Sequence, residues 1–103
     1  MTKSIRLPLL LSTAFLLSAV GLSQSGDATY KTKCASCHGA AGTPSAGMAK
    51  MMGIKPVSDP TIQALTVEQM SAAVKVGKGK MKPIAGLTDA QIKDVVMYYR
   101  GLK

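Results

Sequence analysis

The chain has 103 residues, 47% of them hydrophobic, and thirteen lysines and arginines against five acids give a net charge of +8. That length fits one domain and argues against a two-domain enzyme. Two cysteines and one histidine cannot complete a four-ligand structural zinc site without carboxylates or a second chain, and the same count excludes a disulfide-dense scaffold.

The first element is a leader. Lys3 and Arg6 precede a stretch, Leu7 to Val20, that is apolar apart from Ser12, Thr13 and Ser18, and the small residues Gly21 and Ser23 follow. This is the order of a secretory signal peptide, and cleavage after Ser23 divides the chain into a leader over 1–23 and an exported domain over 24–103. An uncleaved anchor is the alternative, but the apolar run is about 14 residues long, short of the ~20 that span a bilayer. No stable membrane insertion is expected after cleavage. The remaining domain keeps eleven basic and five acidic residues, for a net +6, and its only aromatics are Tyr30, Tyr98 and Tyr99. A domain so small and so poor in aromatics needs a staple, a metal or a ligand to complete its core.

A short helix is predicted over residues 26–38, with Asp27 suited to its first turn. Residues 39–60 are rich in Gly, Ala, Ser and Pro and read as a loop with one helical turn near Met48–Met52. Two further helix starts share one code. Thr66 and Thr88 stand at N-cap with Gln69 and Gln91 at N3, and Leu65 and Leu87 precede them as partners for Met70 and Ile92. The first of these helices should stop near Gly77, and the second should run from Thr88 to Arg100 with Gly101 at its end. On it, Ile92, Val95, Val96 and Tyr99 form one apolar face. No alternating strand pattern is found, so the class is all-α.

Cys34-Ala35-Ser36-Cys37-His38 is the C-x-x-C-H signature of covalent c-type haem attachment. Residues i, i+3 and i+4 share a helix face, so both thiols reach a porphyrin edge while the imidazole of His38 points at the iron. Tyr30 lies on the same face. Two rival readings exist: a thiol–disulfide oxidoreductase, which expects a strand leading into the motif, and a structural disulfide beside an incidental histidine. The helix before the motif and the export signal favour haem.

The sixth ligand must come from elsewhere, because the chain has no second histidine. A thioether is the natural soft partner. Met97 sits beside the core stripe and Met70 is a staple residue, while Met48, Met51 and Met52 form an apolar helix face suited to gap filling. Met81 instead lies in the irregular segment Val76–Pro83, bounded by Gly and Pro, where no helix dictates its direction. Met81 is the preferred axial ligand, with Met48, Met51 and Met52 as the alternatives.

On these residues the chain resembles the class I c-type cytochromes of the small bacterial monohaem kind. Gly26 and Tyr30, eight and four residues before Cys34, resemble the Gly and aromatic of the family's first helix; Cys34, Cys37 and His38 match the haem motif; Met81 followed closely by Pro83 resembles the axial-methionine segment. The resemblance implies a small cytochrome c fold, three to four helices wrapped around one covalent haem c, with Gly26 close to Tyr98 where the last helix crosses the first. It also implies a loop carbonyl, here that of Pro44, accepting from His38. Lys82 stands between Met81 and Pro83 where many relatives have Met-Pro, and the tryptophan that contacts a propionate in some relatives is missing.

Lys75, Lys78, Lys80 and Lys82 bracket Met81. They are either a solvated face or a steering surface for acidic patches on redox partners; an exported haem domain makes nucleic acid an improbable partner. With both axial sites filled, the expected function is a soluble, monomeric electron carrier rather than an enzyme, exported and periplasmic in a Gram-negative source. The alternatives are a haem catalyst or gas sensor with an open sixth site, or a dedicated electron-transfer subunit of a periplasmic redox enzyme.

Overall fold

A computed structural model describes residues 25–103. The leader expected over residues 1–23 lies outside the described residues. Six helical segments and no strand form among the described residues: α1 Gly26–Lys33, α2 Ala35–His38, α3 Ala46–Met52, α4 Pro60–Gln63, α5 Val67–Val76 and α6 Asp89–Arg100. The all-α reading holds, with six helical segments where three to four were expected, four of them of seven residues or more. None of these helices is long and apolar enough to cross a membrane.

The first helix differs in one respect from the expected 26–38 run. Cys34, at φ −121° and ψ −37°, separates α1 from α2. The chain nevertheless continues almost in line, since Cys34 N donates to Tyr30 O at 2.9 Å and His38 N to Cys34 O at 3.0 Å. An additional i→i−3 bond, Cys37 N to Cys34 O at 3.2 Å, tightens the turn in the manner of a 3₁₀ segment. The loop after His38 holds more order than its composition suggested. Ser45 caps α3 by accepting from Met48 N, and Gly53 ends it in the left-handed region at φ +67°. α4 was not expected. Its signal was present as Asp59-Pro60, an N-cap that accepts from Thr61 N and a proline at the first helical position.

Both capping boxes form. Thr66 and Thr88 accept from Gln69 N and Gln91 N at 3.1 Å, and the two glutamine side chains accept from the N-cap amides at 2.9 and 2.8 Å. The apolar stripes then meet. Met70 and Val74 of α5 and Ile92 and Val96 of α6 make the buried cluster, with Leu65, Leu87, Met81, Ile84 and Tyr99 packed on it. α1 crosses α6 where Gly26 leaves room: a Cβ there would stand 2.5 Å from Asp94 O and 3.2 Å from the Tyr98 Cβ. The close approach expected between Gly26 and Tyr98 is therefore present. The methionines of α3 do not fill a core, however. α3 buries no residue and Met51 is 67% exposed.

Candidate functional site

The packing of α1, α5 and α6 leaves a cavity of about 850 Å³, within the roughly 300–1,000 Å³ of ligand pockets. Tyr30, Cys34, Cys37 and His38 line one side, α5 and α6 contribute Met70, Val74, Val95, Val96 and Tyr99, and the segment around Met81 lines it as well. The two thiols, the imidazole and the Met81 thioether thus reach one cavity from positions up to 47 residues apart in the chain. Of the three alternative methionines only Met52 joins the lining.

The motif wall is held by aromatic packing. Tyr30 is 1% exposed and donates its hydroxyl to Gly39 O at 2.6 Å. Its ring stacks on Tyr99 at 6.0 Å and tilts against Tyr98 at 5.4 Å, and Tyr99 in turn meets His38 edge-on at 5.5 Å. Such pairs fix ring orientation beyond what area burial alone would do. Burial, followed by the fields of Tyr99, Cys34 and Tyr98, raises the Tyr30 hydroxyl above its usual range, so it stays a neutral donor. Burial likewise holds His38 below the ordinary imidazole value, which favours the neutral form that ligates metals. The Cys34 thiol is raised by burial and then by Cys37; neither cysteine is in a disulfide.

One expected contact is missing. His38 Nδ1 is buried and has no hydrogen-bond partner among the described residues, so the Pro44 carbonyl does not receive it. Gly39, at φ +81°, has the Thr43 carbonyl so close that a Cβ would lie 1.9 Å from it. The Thr43–Pro44 stretch is folded back on Gly39.

The Met81 segment is a small closed turn. Lys78 N donates to Met81 O and Met81 N to Lys78 O, both at 2.9 Å. Gly79 takes the first central position at φ +56°, as in a II′ hairpin turn. At one end Gly77, φ +81°, sits against Pro83; at the other Ile84 N donates to Val74 O at 2.9 Å, tying the segment to α5. Five lysines, Lys33, Lys55, Lys78, Lys80 and Lys82, reach the cavity lining, which holds no acid. Lys33 and Lys55 escaped the sequence analysis because they lie far from Met81 in the chain. Lys75 is drawn away instead, 3.0 Å from Asp89 Oδ1 on the surface.

This lining fits a haem. Two thiols and a neutral imidazole stand on one wall, a thioether joins from another segment, and the rest is chiefly aliphatic and aromatic. The chain matches the family described as "Cytochrome C oxidase, cbb3-type, subunit III" over residues 22–98. Among solved structures it is similar to the KustC0563 c-type cytochrome, with 28% identity and a TM-score of 0.69, covering 78% of this chain and 99% of that one. A tyrosine-to-phenylalanine mutant of Kustc0563 gives 25% identity and a TM-score of 0.67, covering 78% and 100%. No curated protein matches the chain significantly.

Proposed function

The chain belongs to the class I c-type cytochromes, of the small monohaem kind, and from that premise we propose that it is a soluble, exported one-electron carrier. Its leader is residues 1–23 and its cytochrome domain residues 24–103, working in the periplasm if the source is Gram-negative. When bound, one haem c per chain supplies an iron that exchanges a single electron between its ferrous and ferric states. Cys34 and Cys37 would anchor it by thioethers, and His38 and Met81 would supply the two protein ligands to its iron. The observation that carries this reading is the convergence of these four side chains on one cavity.

The surrounding residues have their own tasks. Tyr99 and Tyr30 hold the His38 wall in register. Met70, Val74, Val95 and Val96 keep water away from the macrocycle, and low polarity together with a soft thioether raises the potential. Two protein ligands leave no open position for oxygen or peroxide, which makes this a carrier and not an enzyme. The lysines at the lining, unopposed by acids there, steer the cavity face toward acidic patches on redox partners and give fast, transient encounters.

A second reading, a dedicated electron-transfer subunit, is favoured by the oxidase-subunit description of the matched family. Against it, the lysines at the lining suit transient encounters with acidic partners, so the free-standing carrier is preferred. Visible spectroscopy of the purified protein in both redox states tests the proposal. A sulfur-to-iron charge-transfer band in the ferric form and no carbon monoxide binding in the ferrous form are expected; ready binding with no band would move the assignment to a catalyst or sensor. A monomer on size-exclusion chromatography separates the carrier from the dedicated subunit.

A further inference from the structure

The Met81 turn meets α3 through a single hydrogen bond among the described residues. Lys80 Nζ donates to Met51 O at 3.0 Å, bridging positions 29 residues apart. Met51 lies in the last turn of α3, where carbonyls have no partner within the helix. An ammonium is well suited to such a carbonyl, both as donor and by charge against the helix C-terminus. The bond matters because the two segments have little else in common. α3 buries no residue, and the Met81 turn is otherwise secured toward α5, through Ile84 N and Val74 O.

The bridge also falls at a telling place. Lys80 immediately precedes Met81 and Met51 immediately precedes Met52, and both Met81 and Met52 line the cavity. Gly79 at positive φ sets Lys80 at the second central position of the turn, so the side chain that makes the bridge projects from the turn that carries Met81. We infer that Lys80 is a positioning residue: its bond to the Met51 carbonyl latches the Met81 turn to α3 and keeps the Met81 thioether at the sixth iron position. The latch rests on the reading of Met81 as axial ligand. Without it the turn stays tied to α5 but swings more freely, and the sulfur spends more time away from the iron.

Imidazole binding to the ferric holoprotein reads this directly, because imidazole enters only when the Met81 sulfur is displaced. Lys80→Met removes the donor and keeps the apolar stem. It is expected to raise the imidazole binding rate roughly three- to tenfold, and to lower the temperature at which the charge-transfer band fades. Lys80→Arg, which retains a donor and the charge, should return the rate to within about twofold of wild type. Lys50→Met, which removes a charge from the same last turn of α3 without touching the bridge, should leave it unchanged. Equal rates in wild type and Lys80→Met, or an equal acceleration in Lys50→Met, would overturn the latch while the axial assignment stands. A wild-type protein with no charge-transfer band would overturn the assignment and the latch together.

Discussion

At the scale of single residues, the site rests on four side chains with unequal neighbours. Met81→Ala should abolish the charge-transfer band, lower the reduction potential and admit carbon monoxide to the ferrous protein, since a hard water replaces a soft sulfur. Met52→Ala, at the one alternative methionine that reaches the cavity, should keep the band and cost about 1–2 kcal/mol of packing. Spectra of the two variants decide between these sulfurs. Gly26 is a different kind of single-residue requirement. A methyl group there meets the Asp94 carbonyl at 2.5 Å, and a backbone atom cannot rotate aside. Gly26→Ala should therefore push α1 from α6 and lower stability by about 1–3 kcal/mol, measured by denaturant unfolding of the holoprotein.

At the scale of elements, the helices that build the cavity wall are secured at their starts. The capping box at Thr88 satisfies two amides that α6 otherwise leaves without partners. α6 carries Val95, Val96 and Tyr99 to the cavity, and Tyr99 packs against His38 and Tyr30, so its first turn fixes the register of the residues that brace the motif. Thr88→Ala should cost about 1 kcal/mol, seen as a fall in Tm of roughly 4–8 °C for a domain of this size, with the visible spectrum unchanged. α1 and α2 show a different economy. The interruption at Cys34 leaves the i→i−4 bond from His38 N intact, and the motif keeps its common face although the helix is formally two pieces.

At the scale of the whole molecule, a cavity of about 850 Å³ in a domain whose only aromatics are three tyrosines cannot be closed by the remaining aliphatics. Protein without haem should lack a cooperative thermal transition and bind hydrophobic dyes, the behaviour of a molten state; an apoprotein melting like the holoprotein would contradict this. Charge acts at the same scale. With Lys33, Lys55, Lys78, Lys80 and Lys82 at the cavity lining, the rate of electron exchange with an acidic partner protein should fall steeply as salt rises. Stopped-flow rates across an ionic-strength series would show it, and a flat series would leave these lysines as solvated surface only.

What the sequence determined by itself is what depends on neighbours a few residues apart. The spacing of Cys34, Cys37 and His38, the two Thr–Gln capping boxes and the stripe Ile92–Val95–Val96–Tyr99 are local patterns, and helix periodicity converts them into geometry without help from the rest of the chain. Asp59-Pro60 was equally local and legible, but the surrounding loop composition masked it. Tertiary structure alone decided what spans the chain. It brought Met81 and Met52, but not Met48 or Met51, to the cavity, because α3 reaches the lining only at its final residue, Met52, followed by Gly53. It placed Lys33 and Lys55 beside the lysines around Met81, and sent Lys75 to Asp89. It also left His38 Nδ1 without its expected acceptor among the described residues. Contacts of this kind depend on how helices cross and loops close, and no periodicity in the sequence encodes them.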